Sequence, residues 1–221
     1  MSGDVEIFNQ ALSACGVEVG VASPDENSRE AAACRLWYPR VRDNVLASAP
    51  WASVRKHARL ARIAERNPAQ PWSAGNPEPD YTYAYATPAD LLRPYHLTTY
   101  GRFGYGLVND MRAISTNDPE PLLYYNARLT DVSLWGNNLR MAIVHTLATY
   151  LVMPLAGNMQ RFEMNAVVAQ NLVEEAQAES ANERHEPEDT LPEWLQVRGY
   201  GNSLTRRYYY PMQTLAIGSP K

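Results

Sequence analysis

The sequence is poor in lysine and cysteine, and each shortage argues against a class of function. Lys56 and Lys221 are the only lysines in 221 residues, and the net charge is −4. The chain therefore lacks the basic excess that is typical of a dedicated nucleic-acid-binding protein. Cys15 and Cys34 are the only cysteines, and no CxxC spacing is present. We expect buried free thiols rather than a zinc site or a redox pair.

Motifs that carry chemistry are also missing. The chain has no HExxH, GxxxxGK[ST] or GxSxG, and the GRFGYG stretch at 101–106 lacks the strand-to-helix context of a dinucleotide fingerprint. The four histidines lie in unlike predicted elements, and His145 is expected to be a hydrogen-bonded core residue. We therefore predict no catalytic, cofactor-binding or metal-binding residues.

Long hydrophobic runs are scarce as well. The longest, residues 141–156, is interrupted by polar residues and by Pro154, so it is too short and too polar to cross a bilayer. Residues 1–9 have neither the basic start nor the apolar core of a signal peptide. These features predict a protein with no membrane association, made in a reducing cytoplasm.

One stretch, residues 42–61, organises what is present. A helix ends there at Pro50, because proline lacks an N–H and disfavours helical dihedrals at the preceding residue. Trp51 is expected to anchor this corner in the core. An extended segment follows at once, predicted as a strand over 52–63, so a helical unit gives way here to a β unit.

Apolar spacing predicts four helices. They cover residues 4–15, 29–48, 138–152 and 158–186. Ser28 is the expected N-cap of the second helix, in which Leu36 and Trp37 should face inward; Pro39 either kinks this helix or divides it, and we favour a kink. The fourth helix carries an apolar stripe that includes Met159, Phe162 and Ala169 and suits antiparallel packing.

The middle of the chain has the alternation and turn residues of short strands. Strands are predicted at 52–63, 81–86, 95–99, 111–115 and 122–125, with a turn or a single helical turn at 88–94 and a hairpin tip at 100–108. The predicted fold class is α+β: an antiparallel helical bundle with an inserted antiparallel β domain and an extended C-terminal arm. The predicted divisions are 1–50 and 131–190 for the bundle, 51–130 for the β domain and 191–221 for the arm.

Charge is unevenly distributed along the chain. Arginines and one lysine are concentrated in the first predicted strand and the helix before it, whereas residues 174–193 are acidic. The basic region could contact DNA phosphates, or it could meet the acidic surface in the same subunit or the next. We favour the second, because opposed patches on one chain suit a head-to-tail ring. The predicted interface residues are Arg55, Lys56, Arg59, Glu174, Glu175, Arg206, Arg207, Tyr208, Tyr209 and Tyr210.

The arm at 191–221 is aromatic and basic but has little periodicity. Such a segment is ordered only when it docks on something. We favour docking on a neighbouring subunit, and the alternative is that the arm folds back on its own domain.

Several motifs, in order, resemble a known family. These are IFNQALSACGV at 7–17, SREAAACRLWYPRVRDNVLASAPW at 28–51 followed by KHARLA, and YTYAYATPADLLRPY at 81–95, and two long helices then follow. Together they cover most of residues 5–186 and resemble the head–tail adaptors of short-tailed bacteriophages, the tail tubular protein A family.

The resemblance implies a helical bundle carrying a β domain, with about twelve copies in a closed ring. Such a ring lies in the neck of the virion, after assembly in the host cytoplasm. Its partners are copies of itself, the portal protein and the tail nozzle protein, with tail fibres as a further candidate and genomic DNA passing through the lumen. No catalysis is implied. The alternatives are a virion-associated hydrolase using Asp80, Asp90 or Asp131, and a nucleic-acid-binding module.

Overall fold

A computed structural model describes residues 3–69, 73–99 and 101–183. These residues form a mixed fold of four helices and two antiparallel sheets. The helices are α1 (Gly3–Cys15), α2 (Arg29–Ser48), α3 (Asn137–Leu155) and α4 (Met159–Glu183). The strands are β1 (Arg55–Arg59), β2 (Arg62–Glu65), β3 (Tyr83–Ala86), β4 (Leu91–Leu97), β5 (Phe103–Val108), β6 (Met111–Thr116) and β7 (Leu122–Ala127).

Helices α1 and α2 begin and end close to where the sequence predicts. Gly16 follows α1 with a positive φ of 79°, a conformation that glycine adopts without steric cost. Ser28 caps α2, because its hydroxyl accepts a hydrogen bond from the Ala31 amide. Pro39 lies inside one continuous helix, so the chain does not divide there. The inward prediction for Leu36 is wrong: this side chain is 59% exposed.

Helix α3 is the central element of the main hydrophobic core. It packs against α1, α2 and α4, and its buried residues include Leu139, Ile143, Leu147 and Leu151. Their spacing, together with buried Ala142, Val144, Ala148 and Val152, gives α3 apolar contacts on more than one side. This confirms the prediction of a central buried helix. None of the helices in the described ranges is long and apolar enough to cross a membrane.

Helix α4 keeps most of its predicted stripe, since Phe162 and Leu172 pack on the core, but it differs at its first turn and at one buried polar residue. Met159 is 57% exposed at the first turn, whereas Asn165 is buried and Ala169 and Ala176 lie against the core. The polar Asn165 was missed because an apolar pattern cannot register an amide that is buried with its hydrogen bonds satisfied. The break before α4 is confirmed at Gly157, where φ is 62°.

The predicted first strand is wrong as a single element. Residues 52–54 form a 3₁₀ turn, and the rest divides into β1 and β2, which belong to different sheets. Leu60 and Ala61 make the crossing: the Leu60 amide bonds the Pro121 carbonyl, and the Ala61 carbonyl accepts from Ala86. Hydrophobic alternation continues through such a crossing, so the sequence pattern does not mark it.

A strand replaces the turn predicted at 88–94. β4 runs through Pro94 because it lies at the edge of the three-stranded sheet, in the order β1-β7-β4, where a missing N–H breaks no ladder bond to a further strand. Its register with β7 shifts on both sides of Arg93–Pro94, as expected of bulges. The prediction of an independent strand at 95–99 is correspondingly only partly right.

The predicted hairpin tip at 100–108 is also wrong. Residues 103–108 form β5, which pairs with β6 in the four-stranded sheet of order β2-β3-β6-β5. The tip is Asn109-Asp110, and both residues have positive φ, 50° and 60°. Paired positive φ values at a two-residue loop are those of a type I′ turn, which matches the twist of a hairpin.

Side chains from the two sheets share a small core. Leu97, Leu123 and Tyr125 of the three-stranded sheet cluster with Ile114 of β6. The three-stranded sheet is tied to the end of α2 by Asn126, whose buried amide donates to the carbonyls of Leu46 (2.5 Å) and Ala49 (2.6 Å). Trp51 is buried next to this junction and donates from Nε1 to the Val45 carbonyl, which confirms its predicted anchoring role.

Candidate interaction surfaces

The basic residues predicted on the first strand divide between the two faces of β1. Arg55, His57 and Arg59 alternate with Lys56 and Ala58, so they point to opposite sides of the sheet. Lys56 pairs with Asp90 at 2.8 Å, and the same carboxylate accepts a hydrogen bond from the Tyr125 hydroxyl at 3.0 Å. Lys56 is therefore engaged within its own chain.

Asp90 is held in its charged form by this small network. Burial raises the pKa of its carboxyl, but hydrogen bonds from Lys56 and Tyr125 and the Lys56 charge outweigh that effect and leave the pKa below its usual value. Burial, together with the hydrogen bond to Asp90, raises the pKa of Tyr125 to about 12. The arrangement ties β1, β4 and β7 together, which is a structural role.

Two histidines from distant parts of the sequence lie on the same sheet face. His57 on β1 and His96 on β4 are both paired in register with Tyr124 on β7. The His96 and Tyr124 rings stack with centroids 4.7 Å apart, and the His57 ring is tilted with its centroid 5.7 Å from that of Tyr124. This row depends on the strand order, which no local sequence pattern reveals.

Three arginines flank this row. Arg55 and Arg93 lie beside Asn126 in the row nearer α2, and Arg59 lies beside Leu122 in the row farther away. Arg93 reaches the end of α2, where its guanidinium donates to the carbonyls of Ala47 (3.1 Å) and Ser48 (3.2 Å). We call Arg55, His57, Arg59, Arg93, His96 and Tyr124 the basic–aromatic face.

Helix α4 carries the opposite charge. Glu174 and Glu175 are exposed on it, as predicted, and Glu174 accepts a hydrogen bond from Gln170 at 2.9 Å. Two large apolar side chains, Met164 (56% exposed) and Val167 (57% exposed), also face solvent on this helix. Glu174 borders a groove of about 520 Å³ between α2 and α4, whose lining includes Val45, Ser48, Thr146, Ala169, Val173 and Gln177.

The structure does not bring the predicted basic and acidic residues together within the described part of the chain. Lys56 pairs with Asp90 and not with Glu174 or Glu175. Arg55 donates to the Pro50 carbonyl at 3.3 Å, among its contacts. The predicted interface residues Arg206, Arg207, Tyr208, Tyr209 and Tyr210 lie outside the described residues, as does the arm at 191–221.

Two of the three carboxylates considered for hydrolysis, those of Asp90 and Asp131, hold the fold together. Asp90 belongs to the network above, and Asp131 caps a 3₁₀ turn by accepting from the Ser133 amide (2.9 Å) and hydroxyl (2.6 Å). The bonds from the Ser133 hydroxyl and amide lower the pKa of Asp131. Asp80 contributes only its backbone carbonyl, which accepts a hydrogen bond from the Asn117 amide. Within the described ranges, no three His, Cys, Asp or Glu side chains come together as a metal site would require.

Other polar groups in the helical core are also satisfied internally. Asn165 joins three elements: its Oδ1 lies 2.9 Å from His145 Nδ1, and its amide donates to the carbonyls of Ala14 and Arg161. His145 therefore has the hydrogen-bonded role that its place on an apolar helix predicts. Cys15 and Cys34 are buried free thiols, as predicted, and burial raises their pKa values to about 11 and about 12.

A comparison of the chain with models of known protein families gives no match, and neither does a comparison with curated proteins.

Proposed function

We propose that this protein is a head–tail adaptor of a short-tailed bacteriophage. In this proposal the four helices form an antiparallel bundle, the seven strands form its inserted β domain, and residues 191–221 are an extended arm. Copies of the chain, about twelve, close into a ring between the portal and the tail nozzle. Genomic DNA passes through the lumen, and the protein carries out no catalysis.

The observation that carries the proposal is the presence of two chemically opposed surfaces on one chain. The basic–aromatic face lies on the three-stranded sheet, while α4 exposes Glu174 and Glu175 together with Met164 and Val167. A head-to-tail ring needs unlike patches, because each subunit presents one surface to the neighbour on its left and another to the neighbour on its right. Apolar groups beside charged ones are typical of such contacts.

The motif order supports the same proposal. Helices from the beginning of the chain and from beyond residue 137 pack on each other, with all seven strands between them in sequence. This is the order of elements that the resemblance to the adaptor family implies.

The direct test is to locate the chain in particles. Antibody labelling and electron microscopy of virions from the phage that encodes the chain should place it at the neck as a ring. Mass measurement of that ring then gives the copy number. Absence of the chain from particles, combined with a purified protein that stays monomeric with and without the portal, would contradict the proposal.

A second candidate is nucleic-acid binding, which the basic–aromatic face favours. Stacked rings between arginines are a common platform for single-stranded nucleic acid. Binding of a single-stranded oligonucleotide by the purified protein should then weaken steeply as salt rises. No binding at low salt would exclude this candidate.

A further inference from the structure

One edge of the four-stranded sheet exposes apolar side chains. β5 lies at the end of the strand order β2-β3-β6-β5, and Tyr105 and Leu107 on it are 40% and 67% exposed. We call these two residues the β5 patch. No residue of 103–108 is charged, whereas β2 at the other end of the order carries Arg62 and Glu65. Proteins usually protect an exposed edge with charges, so an uncharged apolar edge indicates a surface that contacts another chain.

The β5 patch lies on the side of its sheet that faces the three-stranded sheet. Tyr105 pairs in register with Ile114, whose buried side chain clusters with Leu123 of the three-stranded sheet. Partners in register project to the same side, and so does every second residue of a strand. Phe103 packs on that shared core, whereas Tyr105 and Leu107 are nearer the hairpin turn and remain exposed.

Arg59 is presented in the same direction as the β5 patch. Ala58 of β1 packs on the core between the two sheets, so the next residue, Arg59, lies on the outer side of the three-stranded sheet. In two sheets that pack face to face, the outer side of one and the inner side of the other point the same way. A single partner surface can therefore contact both groups.

The strand register gives the distance between these groups. The Ala61 carbonyl accepts a hydrogen bond from β3, and the register continues from β3 through β6 to Gly106 on β5. Three strand spacings place Gly106 about 14 Å from Ala61. Arg59 precedes Ala61 by two residues and Leu107 follows Gly106, so the arginine and the β5 patch are roughly 15 Å apart.

Helix α4 offers the complementary groups at a similar spacing. Met164 and Val167 are exposed on it, and Glu174 and Glu175 are exposed farther along the same helix. The eleven residues from Met164 to Glu175 advance about 16 Å along the helix axis. The apolar and acidic groups of α4 thus match the apolar and basic groups of the sheets both in chemistry and in separation.

We propose that the β5 patch of each subunit, Tyr105 and Leu107, docks on Met164 and Val167 of the next copy in the ring. This apolar contact lies beside the ionic contact between Arg59 and the acidic part of α4. The inference rests on the ring of the proposed function and identifies the apolar half of the contact between subunits. Burial of the four side chains supplies affinity, and the neighbouring charges fix the register of the contact.

Photo-cross-linking of rings, in particles or on the portal, tests the contact. p-Benzoylphenylalanine replaces Leu107, and in the matched control it replaces Leu134, which is the same residue type and is 58% exposed. Position 107 should be joined to residues 160–171 of another copy, in dimer and larger bands. Rings assembled from a mixture of isotopically heavy and light chains distinguish these bonds from bonds within one chain. Position 134 should give no cross-links to this part of α4.

A substitution at the patch provides a measurement that does not depend on the probe. Leu107→Asp leaves the folded subunit intact because the side chain is exposed, but it places a charge in the apolar contact. Ring occupancy should fall at least about tenfold, whereas Leu134→Asp should leave it unchanged. A probe that replaces Tyr105 repeats the cross-linking if the Leu107 probe does not fold.

Failure of the docking is distinguishable from failure of the proposed function. Rings in which position 107 is joined to its own chain, to the portal or to the nozzle protein would overturn the docking and leave the adaptor role intact. Normal ring occupancy of Leu107→Asp, or equal cross-linking to α4 from position 134, would have the same meaning. Absence of rings from wild-type particles would contradict the proposed function and the docking with it.

Discussion

At the scale of single residues, Asn126 is the connection on which the sheet and the helices most depend. Its amide satisfies two buried carbonyls at the end of α2, those of Leu46 and Ala49. Asn126→Ala leaves both acceptors without this donor, which should lower the free energy of unfolding by about 2–3 kcal/mol. Urea or thermal unfolding measures the change.

Asn171 on α4 provides the matched control, because it is exposed. Asn171→Ala should change stability by less than about 0.5 kcal/mol. If the two variants were equally stable, Asn126 would not hold the sheet to the helix.

Asp90 should make stability depend on pH. The pKa of its carboxyl is lower in the folded protein than the usual value of 3.8, which applies to the unfolded chain. The unfolded chain therefore binds this proton more tightly than the folded protein does. The stabilisation from the Lys56 and Tyr125 contacts is therefore present above that value and is lost as pH falls through the lower folded pKa. Asp90→Asn should reduce the free energy of unfolding at pH 7 and make little difference at strongly acidic pH.

Denaturant titrations at several pH values measure this difference. Asp25→Asn, at an exposed position, is the control and should leave the acid dependence nearly unchanged. If the free energies of unfolding of the wild type and of Asp90→Asn changed in parallel across the acid range, Asp90 would not be a source of the pH dependence.

The sequence predicts the role of a single residue correctly where that role depends on residues next to it in the chain. Ser28, Gly16 and Trp51 have their predicted roles because capping, a left-handed helix end and a proline stop depend on adjacent residues. The prediction that Leu36 faces inward is wrong for a nonlocal reason. Its side of α2 is not covered in the described structure, and nothing in the spacing of α2 tells which side α3 will occupy.

At the scale of elements, the β5–β6 hairpin makes a sharp prediction about its turn. Asp110 has a φ of 60°, which costs a non-glycine residue about 1 kcal/mol or more. Asp110→Gly creates the Asn-Gly pair that type I′ turns prefer, so it should be neutral or stabilising, whereas Asp110→Ala should be destabilising. The two variants should differ by about 1 kcal/mol in the free energy of unfolding.

Each of these two variants serves as the control for the other, because both remove the same carboxylate. The lost charge therefore affects both equally, and the difference between their free energies of unfolding reports the backbone conformation at residue 110. Equal stabilities would mean that the turn does not hold residue 110 in the left-handed conformation.

The helices are predicted better than the strands, and the reason is physical. A helix is closed by hydrogen bonds within itself, so periodicity and caps define it. A strand is completed by partners that are distant in sequence. The crossing at Leu60–Ala61, the edge position that admits Pro94, and the meeting of His57 with His96 all follow from strand order, which the sequence does not display.

At the scale of the whole molecule, the predicted interface is only partly described. Arg59, Glu174 and Glu175 are exposed, whereas Lys56 is engaged by Asp90. Charge along the chain indicated which segments are basic or acidic. It could not show which of these charges already have a partner, because the Lys56–Asp90 pair forms only when β1, β7 and β4 assemble into one sheet.

The proposed ring predicts which charges meet between subunits. The predicted basic partners of Glu174 and Glu175 on the next copy are Arg59 on the sheet face and the pair Arg206-Arg207. The charge reversal E174K/E175K should then abolish ring assembly in particles or on the portal, because like charges would face each other across the contact.

Adding R59E to that variant should restore rings, since the pairing between the sheet face and α4 is re-formed with its signs exchanged. Adding R206E/R207E instead tests the second predicted basic site in the same way. Ring occupancy in electron micrographs measures both outcomes, and R40E, at an exposed arginine on α2, is the matched single-charge control. Rescue by R206E/R207E but not by R59E would assign the contact with α4 to residues 206 and 207 and not to the sheet face. Rescue by neither would contradict the pairing of these opposite charges between subunits.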